Sequence, residues 1–197
     1  LNKYKEVYKK ISNNYLKTKM NINNLPFVYQ LSKLLRVSDD LFFKFINNFK
    51  GMKHRYEIIF NNNSLKIIND SKATGFKATQ KALESSENIY WIVGGLPKLN
   101  DEFEIKKLKK RVRKAYIIGN YSQTYIKQLK QKVKFSVCKK LKIAIAEIIK
   151  DINKDKNKDK TILLSPAGAS FDQFKNFEDR GNKFKKLIKI YARKIKN

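Results

Sequence analysis

Cysteine and histidine are almost missing from this 197-residue sequence, which holds one of each, Cys138 and His54. A lone thiol excludes an internal disulfide and suits a reducing cytoplasm, the location expected here. One Cys and one His also exclude a zinc site of the usual Cys/His kind, and no metal ligands are assigned. Long apolar runs are absent as well. None reaches the roughly 18 residues a membrane helix needs, so no membrane insertion is expected. The first residues, Leu1-Asn2-Lys3-Tyr4, include neither an initiator Met nor the apolar centre of a signal peptide, which points to a trimmed start or a fragment. Nowhere does G-x-x-x-x-G-K-[ST] occur, so the chain has no phosphate-cradling P-loop.

What is present supports a folded core. The chain is 42% hydrophobic and 12% aromatic, which rules out wholesale disorder, and its length suits one domain or one domain plus part of another. The formal charge of +28 taken alone would suggest a polyanionic partner. However, the excess is carried by 39 Lys against 6 Arg, alongside 20 Asn. Lys, Asn and Ile share A/T-rich codons, so genome composition accounts for the mixture. The lysines are dispersed, whereas nucleic-acid readers rely on the bidentate guanidinium of Arg. A solvated basic surface is the reading, with no specific nucleic-acid partner.

Residues 1–53 read as helical. Apolar residues recur at helical spacing from Leu25 to Leu35, with Pro26 in the first turn, and Ser38-Asp39-Asp40 opens a second helix from Leu41 to about Phe49. The pattern changes after His54-Arg55. Tyr56–Phe60 and Leu65–Ile68 are short β-rich runs joined by Asn61-Asn62-Asn63-Ser64, a hairpin-like connection. Strands and helices then alternate: a helix near Thr74–Ser85, a strand at Ile89–Val93, a charged helix near Glu104–Val112 and a strand at Ala115–Ile118. A helix at about Gln123–Gln131, a strand at Val133–Val137 and an amphipathic helix carrying Leu141, Ile145, Ile148, Ile149 and Ile152 follow. The charged loop 153–160, a strand at Thr161–Leu164 and a closing helix over about 173–194 complete the chain. Such alternation predicts an α/β fold, a mainly parallel sheet with helices on both faces.

In open α/β sheets ligands bind outside the carboxyl ends of the strands. Three strand exits are chemically rich: Asn69-Asp70-Ser71-Lys72-Ala73-Thr74, Gly94-Gly95-Leu96-Pro97-Lys98, and Ser165-Pro166-Ala167-Gly168-Ala169-Ser170-Phe171-Asp172. Two of these loops deliver a lysine, and the first and third deliver hydroxyls at a helix N-terminus, so a pocket with Lys72, Lys98, Thr74 and Ser170 would suit a small dicarboxylate or a phosphate. Each piece also has a plainer explanation. Lys72 and Lys98 are two lysines among many, Gly94-Gly95 could only turn the chain, and Thr74 and Asp172 could be ordinary helix caps. His54 reads as a hydrogen-bonding residue at the boundary, Cys138 as a small buried strand residue, and Tyr90 and Trp91 as buried strand residues.

Two of these loops carry a family resemblance. Asn69-Asp70-Ser71-Lys72-Ala73-Thr74 resembles the N-D-S-K-A-T signature opening the C-terminal domain of UDP-N-acetylmuramoyl-L-alanine:D-glutamate ligases of the Mur ligase family. Ser165 to Gly181 resembles their L-S-P-A-x-A-S-x-D-Q-F-x-x-F-x-x-R-G block. Upstream, Met20-Asn21-Ile22-Asn23-Asn24 is similar to the family's H-N-x-x-N segment and Gly51-Met52-Lys53-His54-Arg55 to its G-L-x-H-R hinge. Met20 replaces the usual His, and Leu96-Pro97 replaces D-x in the G-G-D-x-K loop.

The resemblance implies that residues 1–53 are the last helices of a central ATPase domain and that residues 54–197 form a Rossmann-like amino-acid-binding domain. Thr74, Lys98, Ser170, Phe171 and Phe177 then match the D-glutamate pocket, and Lys72 the catalytic lysine between amino acid and phosphates. Asn21, Asn24, Arg55 and Asp70 match nucleotide-contacting positions. The implied reaction is ATP-dependent amide formation between UDP-N-acetylmuramoyl-L-alanine and D-glutamate through an acyl phosphate, by a monomer. ATP and Mg2+ would be held mainly upstream of Leu1, so these residues alone should catalyse nothing. Two alternatives share part of the pattern: a Mur or folylpolyglutamate-type ligase for another amino acid, and a non-enzymatic basic nucleic-acid-binding domain.

Overall fold

The computed structural model describes residues 4–18, 21–105, 108–157 and 159–191, which divide into two compact units at Met52/Lys53. In the first unit, helix α1 (Lys5–Lys10) is followed by a 3-10 turn at Ile22–Asn24, helix α2 (Leu25–Leu34) and helix α3 (Asp39–Asn48). Pro26 occupies the first turn of α2, where its missing N–H would have had no helical partner. The Ser38 hydroxyl accepts from the Leu41 N–H and caps α3. Ile11, Leu16 and Leu25 form a small core. Much apolar surface stays outside it: Phe27 is 77% exposed, Leu34 79% and Phe45 66%. Met20 lies outside the described residues.

The second unit is a six-stranded sheet. Its strands are β1 (Glu57–Asn61), β2 (Leu65–Asn69), β3 (Ile89–Gly94), β4 (Val112–Ile118), β5 (Phe135–Lys139) and β6 (Lys160–Leu164), arranged β1-β2-β6-β3-β4-β5. Only β1 runs antiparallel, paired to β2 through a tight turn in which Asn62 Oδ1 accepts from the backbone N–H groups of Ser64 and Leu65. The other pairings are parallel, so the interior strands are buried on both faces and read as unbroken apolar runs; every residue of β3 is buried.

Helices α6 (Leu141–Lys154) and α7 (Phe177–Tyr191) cover one face, packing Ile145, Ile148 and Phe184 against Tyr90, Ile92, Tyr116 and Ile162. Alternation sends Trp91 to the opposite face. There it meets the Phe103 ring, which stacks on Phe76 of α4 (Phe76–Glu84) and stands edge-on to Tyr125 of α5 (Ser122–Leu129). Helices therefore cover a largely parallel sheet on both faces, and Tyr90 and Trp91 are core residues.

Three expectations need correction. The segment 104–112 is not a helix: residues 101–105 are irregular, a single turn spans 108–111, and β4 already begins at Val112 (Lys106 and Lys107 lie outside the described residues). The reason is that Phe103, Ile105 and Leu108 are all buried, and a spacing of two then three does not keep one helical face inward. Strand β5 starts at Phe135 rather than Val133, because Val133 is held in the turn that ends α5, its N–H donating to the Leu129 carbonyl. Helix α7 starts at Phe177 rather than near Gln173. Asn176 Oδ1 accepts from the Asp179 N–H, as an N-cap does, while residues 171–176 form turns and bends. Residues 192–194 of the expected helix lie outside the described residues.

Candidate functional site

The chain leaves β2 for α4 on one face and leaves β6 for α7 on the other. The carboxyl ends of β2, β6 and β3 therefore flank a crevice of the kind α/β sheets use for ligands. The three loops expected to carry the chemistry meet there. Leu96 and Ala169 exchange backbone hydrogen bonds of 2.8 Å each, and the Ala167 N–H donates to the Ala73 carbonyl at 3.0 Å. The Gly94 N–H donates to the Pro166 carbonyl at 2.8 Å. Gly94-Gly95 does more than turn the chain. Both residues have positive φ, and a Cβ would collide with the Ile118 carbonyl at Gly94 and with the Ala169 carbonyl at Gly95.

Lys72, Thr74 and Lys98 line one open cleft of about 390 Å³, together with Gly75 and Asp101. Both lysines are exposed, and Lys72 Nζ lies 5.5 Å from the Phe177 ring centroid at the start of α7. Ser170 is buried in the β6 loop, where its carbonyl accepts from the Gln173 and Phe174 N–H groups. Phe171 is 70% exposed, and neither it nor Ser170 nor Phe177 lines this cleft. The cleft thus joins a hydroxyl and two ammonium groups, which suit carboxylate or phosphate oxygens, with the Asp101 carboxylate already seated on the amino end of α4.

Asp70 lies beneath this surface, 2% exposed, with both oxygens engaged: Oδ1 accepts from the Tyr56 N–H at 3.0 Å and Oδ2 from the Ser165 hydroxyl at 2.7 Å. Any contact with a nucleotide would require this buried carboxylate to become accessible. Burial pushes its carboxyl up to about 7, against the hydrogen bonds from Ser165 and Tyr56 and the positive charge of Arg55, an exposed residue. Asn21 and Asn24 belong to the first unit. Asn21 is buried and donates to the Tyr15 carbonyl, and Asn24 is exposed ahead of α2 without a side-chain cap bond.

Neither cap reading holds. Gly75 precedes α4, and the Phe76 N–H is taken by Asp101 Oδ2 at 2.7 Å, not by Thr74. Asp172 Oδ2 accepts instead from the Asn120 N–H after β4. His54 is buried against Asn69 Nδ2 at 2.9 Å, and burial lowers its basicity. Cys138 is buried in β5, its thiol pushed up to about 12 by burial.

Sequence reasoning gave no role to Arg180, which holds the site together. It is 1% exposed; Nη1 donates to the Gly168 carbonyl at 3.0 Å, Nη2 to the Ser71 carbonyl at 2.8 Å and Nε to the Ser71 hydroxyl at 3.0 Å. One planar fork joins the β2 loop to the β6 loop. Burial brings its guanidinium down to about 10, still charged at neutral pH. The available signal was the scarcity of Arg beside Lys. Among the described residues no group of three or more His, Cys, Asp or Glu could hold a metal ion, and no helix is long and apolar enough to cross a membrane.

Asp70 gives the site a pH signature. A carboxyl near 7 when folded and near its ordinary 3.8 when unfolded binds more protons in the folded state between those values. Its contribution to stability is full below about pH 4 and is lost as pH rises through 7. Asp70→Asn keeps an acceptor for Tyr56, and its amide can donate to Ser165, whose own proton can turn to Thr79 Oγ1 at 3.0 Å. Denaturant titrations at pH 5 and pH 8 should show the wild type losing on the order of 1–4 kcal/mol more than the variant over that interval. Equal pH dependence in the two proteins would refute the assignment.

A mainly parallel sheet with helices on both faces and a cleft at the carboxyl ends of its strands places this unit in the doubly wound α/β class. No protein-family model matches the chain. Individual proteins do match. A UDP-N-acetylmuramoylalanine–D-glutamate ligase of Rickettsia felis is 35% identical over 188 residues, which is 95% of this chain and 42% of that protein. Ligases of the same name from Nitrobacter winogradskyi (38% identical, 78% of this chain, 33% of that protein) and Wolbachia pipientis wMel (37% identical, 85% and 33%) agree. The chain belongs to the Mur ligase family, and the relatives it matches are D-glutamate ligases. It spans 33% to 42% of the length of these curated relatives.

Proposed function

We propose that this chain is the C-terminal part of an ATP-dependent ligase that adds D-glutamate to UDP-N-acetylmuramoyl-L-alanine in peptidoglycan synthesis, acting as a cytoplasmic monomer. What carries the reading is the meeting of Lys72, Thr74 and Lys98 in one cleft, in a chain whose relatives bear that name. Lys98, Thr74 and Ser170 hold the two carboxylates of the amino acid, with Phe177 as a wall beneath Lys72. Phe171, exposed in this structure, would close over the pocket only on binding. Clamping both carboxylates aims the amine at the activated L-alanine carboxylate, an acyl phosphate in this reaction, and replaces a random encounter with a held geometry. Lys72 offsets the negative charge that develops beside the phosphates.

Arg55, Asn21, Asn24 and Asp70 are the nucleotide-side positions in this reading. The residues here do not by themselves fit ATP and Mg2+, since there is no P-loop in the sequence and no metal-suited cluster among the described residues. Both belong mainly to a region outside this chain. The exposed apolar groups of α2 and α3 support assigning the first unit to the end of a central ATPase domain, whose remainder would cover Phe27, Leu34 and Phe45.

The 197 residues alone should neither hydrolyse ATP nor form the UDP-linked dipeptide, and supplying the preceding domains, in one chain or in trans, should give turnover. Phosphate release and product chromatography test this. Ligation by these residues alone would sink the division of labour.

A further inference from the structure

We infer that Asp101 is a positioning residue for amino-acid capture, anchoring the loop after β3 to the amino end of α4 so that Lys98 stands at the mouth of the cleft; this rests on the reading of the cleft as the amino-acid pocket. The loop leaves β3 at Gly94 and is pinned first by the Leu96–Ala169 pair. It is pinned again at its far end. Asp101 Oδ2 takes the Phe76 N–H at 2.7 Å, the Asp101 carbonyl accepts from Gln128 Nε2 at 3.3 Å, and the Phe103 N–H donates to Gln128 Oε1 at 3.2 Å. Between those anchors Lys98, Leu99 and Asn100 are exposed, and Leu99 is 92% so. Among the described residues Lys98 has no hydrogen-bond or ion-pair partner, so its place is set by the backbone that carries it.

That place is closely defined. A Cβ built on Gly75 would come within 3.3 Å of Lys98 Cδ and 3.4 Å of Asp101 Oδ2, so the lysine stem and the carboxylate both lie against the residue that precedes α4. Gly75 offers no side-chain cap and Thr74 does not cap either, which leaves the first N–H of α4 to a carboxylate delivered from 25 residues away. A local cap would satisfy the helix equally well. A distant one also fixes the loop, and the residue so fixed is the cation assigned to the substrate. The Leu96-Pro97 departure from the family pattern falls at the first of these anchors, Leu96 itself making the pair with Ala169.

The test is a double-mutant cycle in the full-length ligase, with KM for D-glutamate, KM for ATP and kcat measured for Asp101→Ala, Asp101→Asn, Lys98→Ala and the Lys98→Ala/Asp101→Ala double variant. Asp101→Ala should raise KM for D-glutamate roughly 3- to 30-fold with KM for ATP unchanged. Asp101→Asn, which keeps an acceptor for the Phe76 N–H, should recover most of that loss. The double variant should be no worse than Lys98→Ala alone, because Asp101 acts through Lys98. If the two losses multiply, or if Asp101→Ala lowers thermal stability without moving KM, Asp101 is a helix cap and the inference fails. A Lys98→Ala variant with unchanged KM would instead overturn the pocket reading itself.

Discussion

Replacing Lys98 with alanine in the full-length ligase should weaken apparent D-glutamate affinity roughly 10- to 150-fold. The variant removes a charge-assisted hydrogen bond to a carboxylate, a contact of ~1.5–3 kcal/mol, and ~1.4 kcal/mol is a factor of ten. ATP affinity should change little, because Lys98 faces the cleft with Thr74 and Gly75 and is assigned to the amino acid. Lys154, the last residue of α6, is the control: the chain runs from it into the amino end of β6, whereas the three site loops leave the carboxyl ends of their strands, and its replacement should leave both constants unaltered. Steady-state kinetics with each substrate varied in turn decide the matter. Equal behaviour of the Lys98 and Lys154 variants would mean that the pocket lies elsewhere.

Arg180→Ala should cost the chain on the order of 3–5 kcal/mol in unfolding free energy, a large share of the roughly 5–15 kcal/mol that holds a domain together. The loss has a specific origin. Removing the guanidinium leaves the Gly168 and Ser71 carbonyls without their buried donor, and the Ser71 hydroxyl keeps only its own bond to the Phe177 carbonyl at 2.8 Å. Arg180→Lys should recover less than half, since one ammonium cannot span acceptors on two loops. Urea titrations of the 197-residue chain measure both. A loss below about 1 kcal/mol for Arg180→Ala would contradict the role given to the fork. Because the fork joins the β2 and β6 loops, variants that stay folded should also bind amino acid more weakly.

Much of this was legible in the sequence because it rested on local rules. The short apolar run Ile89–Val93 between helical segments read as a buried strand, and Ser38 and Pro26 marked helix starts by chemistry that acts within one turn. The three strand exits were readable for the same reason: ligands gather at the carboxyl edge, and the loops rich in Lys, Thr and Ser were those of β2, β3 and β6. What was not legible depended on contacts distant in the chain. Phe103 belongs to an aromatic cluster with Phe76, Trp91 and Tyr125, and that cluster, not helical periodicity, shapes the connection into β4. Asp101 caps a helix that begins 25 residues earlier, which no local capping pattern can reveal. Asp172, adjacent to the closing helix in sequence, turns away to Asn120. Arg180 lay inside a recognisable block, yet its function emerges only when Ser71 and Gly168 are brought to it.

The most direct test of the central claim is amino-acid-dependent phosphate release by the full-length ligase, with ATP and UDP-N-acetylmuramoyl-L-alanine supplied and one amino acid added at a time. D-glutamate should support turnover, while L-glutamate, L-lysine and meso-diaminopimelate should not. Turnover with one of those in preference to D-glutamate, or equal turnover with none added, would contradict the assignment of Lys98, Thr74 and Ser170 to the two carboxylates of D-glutamate.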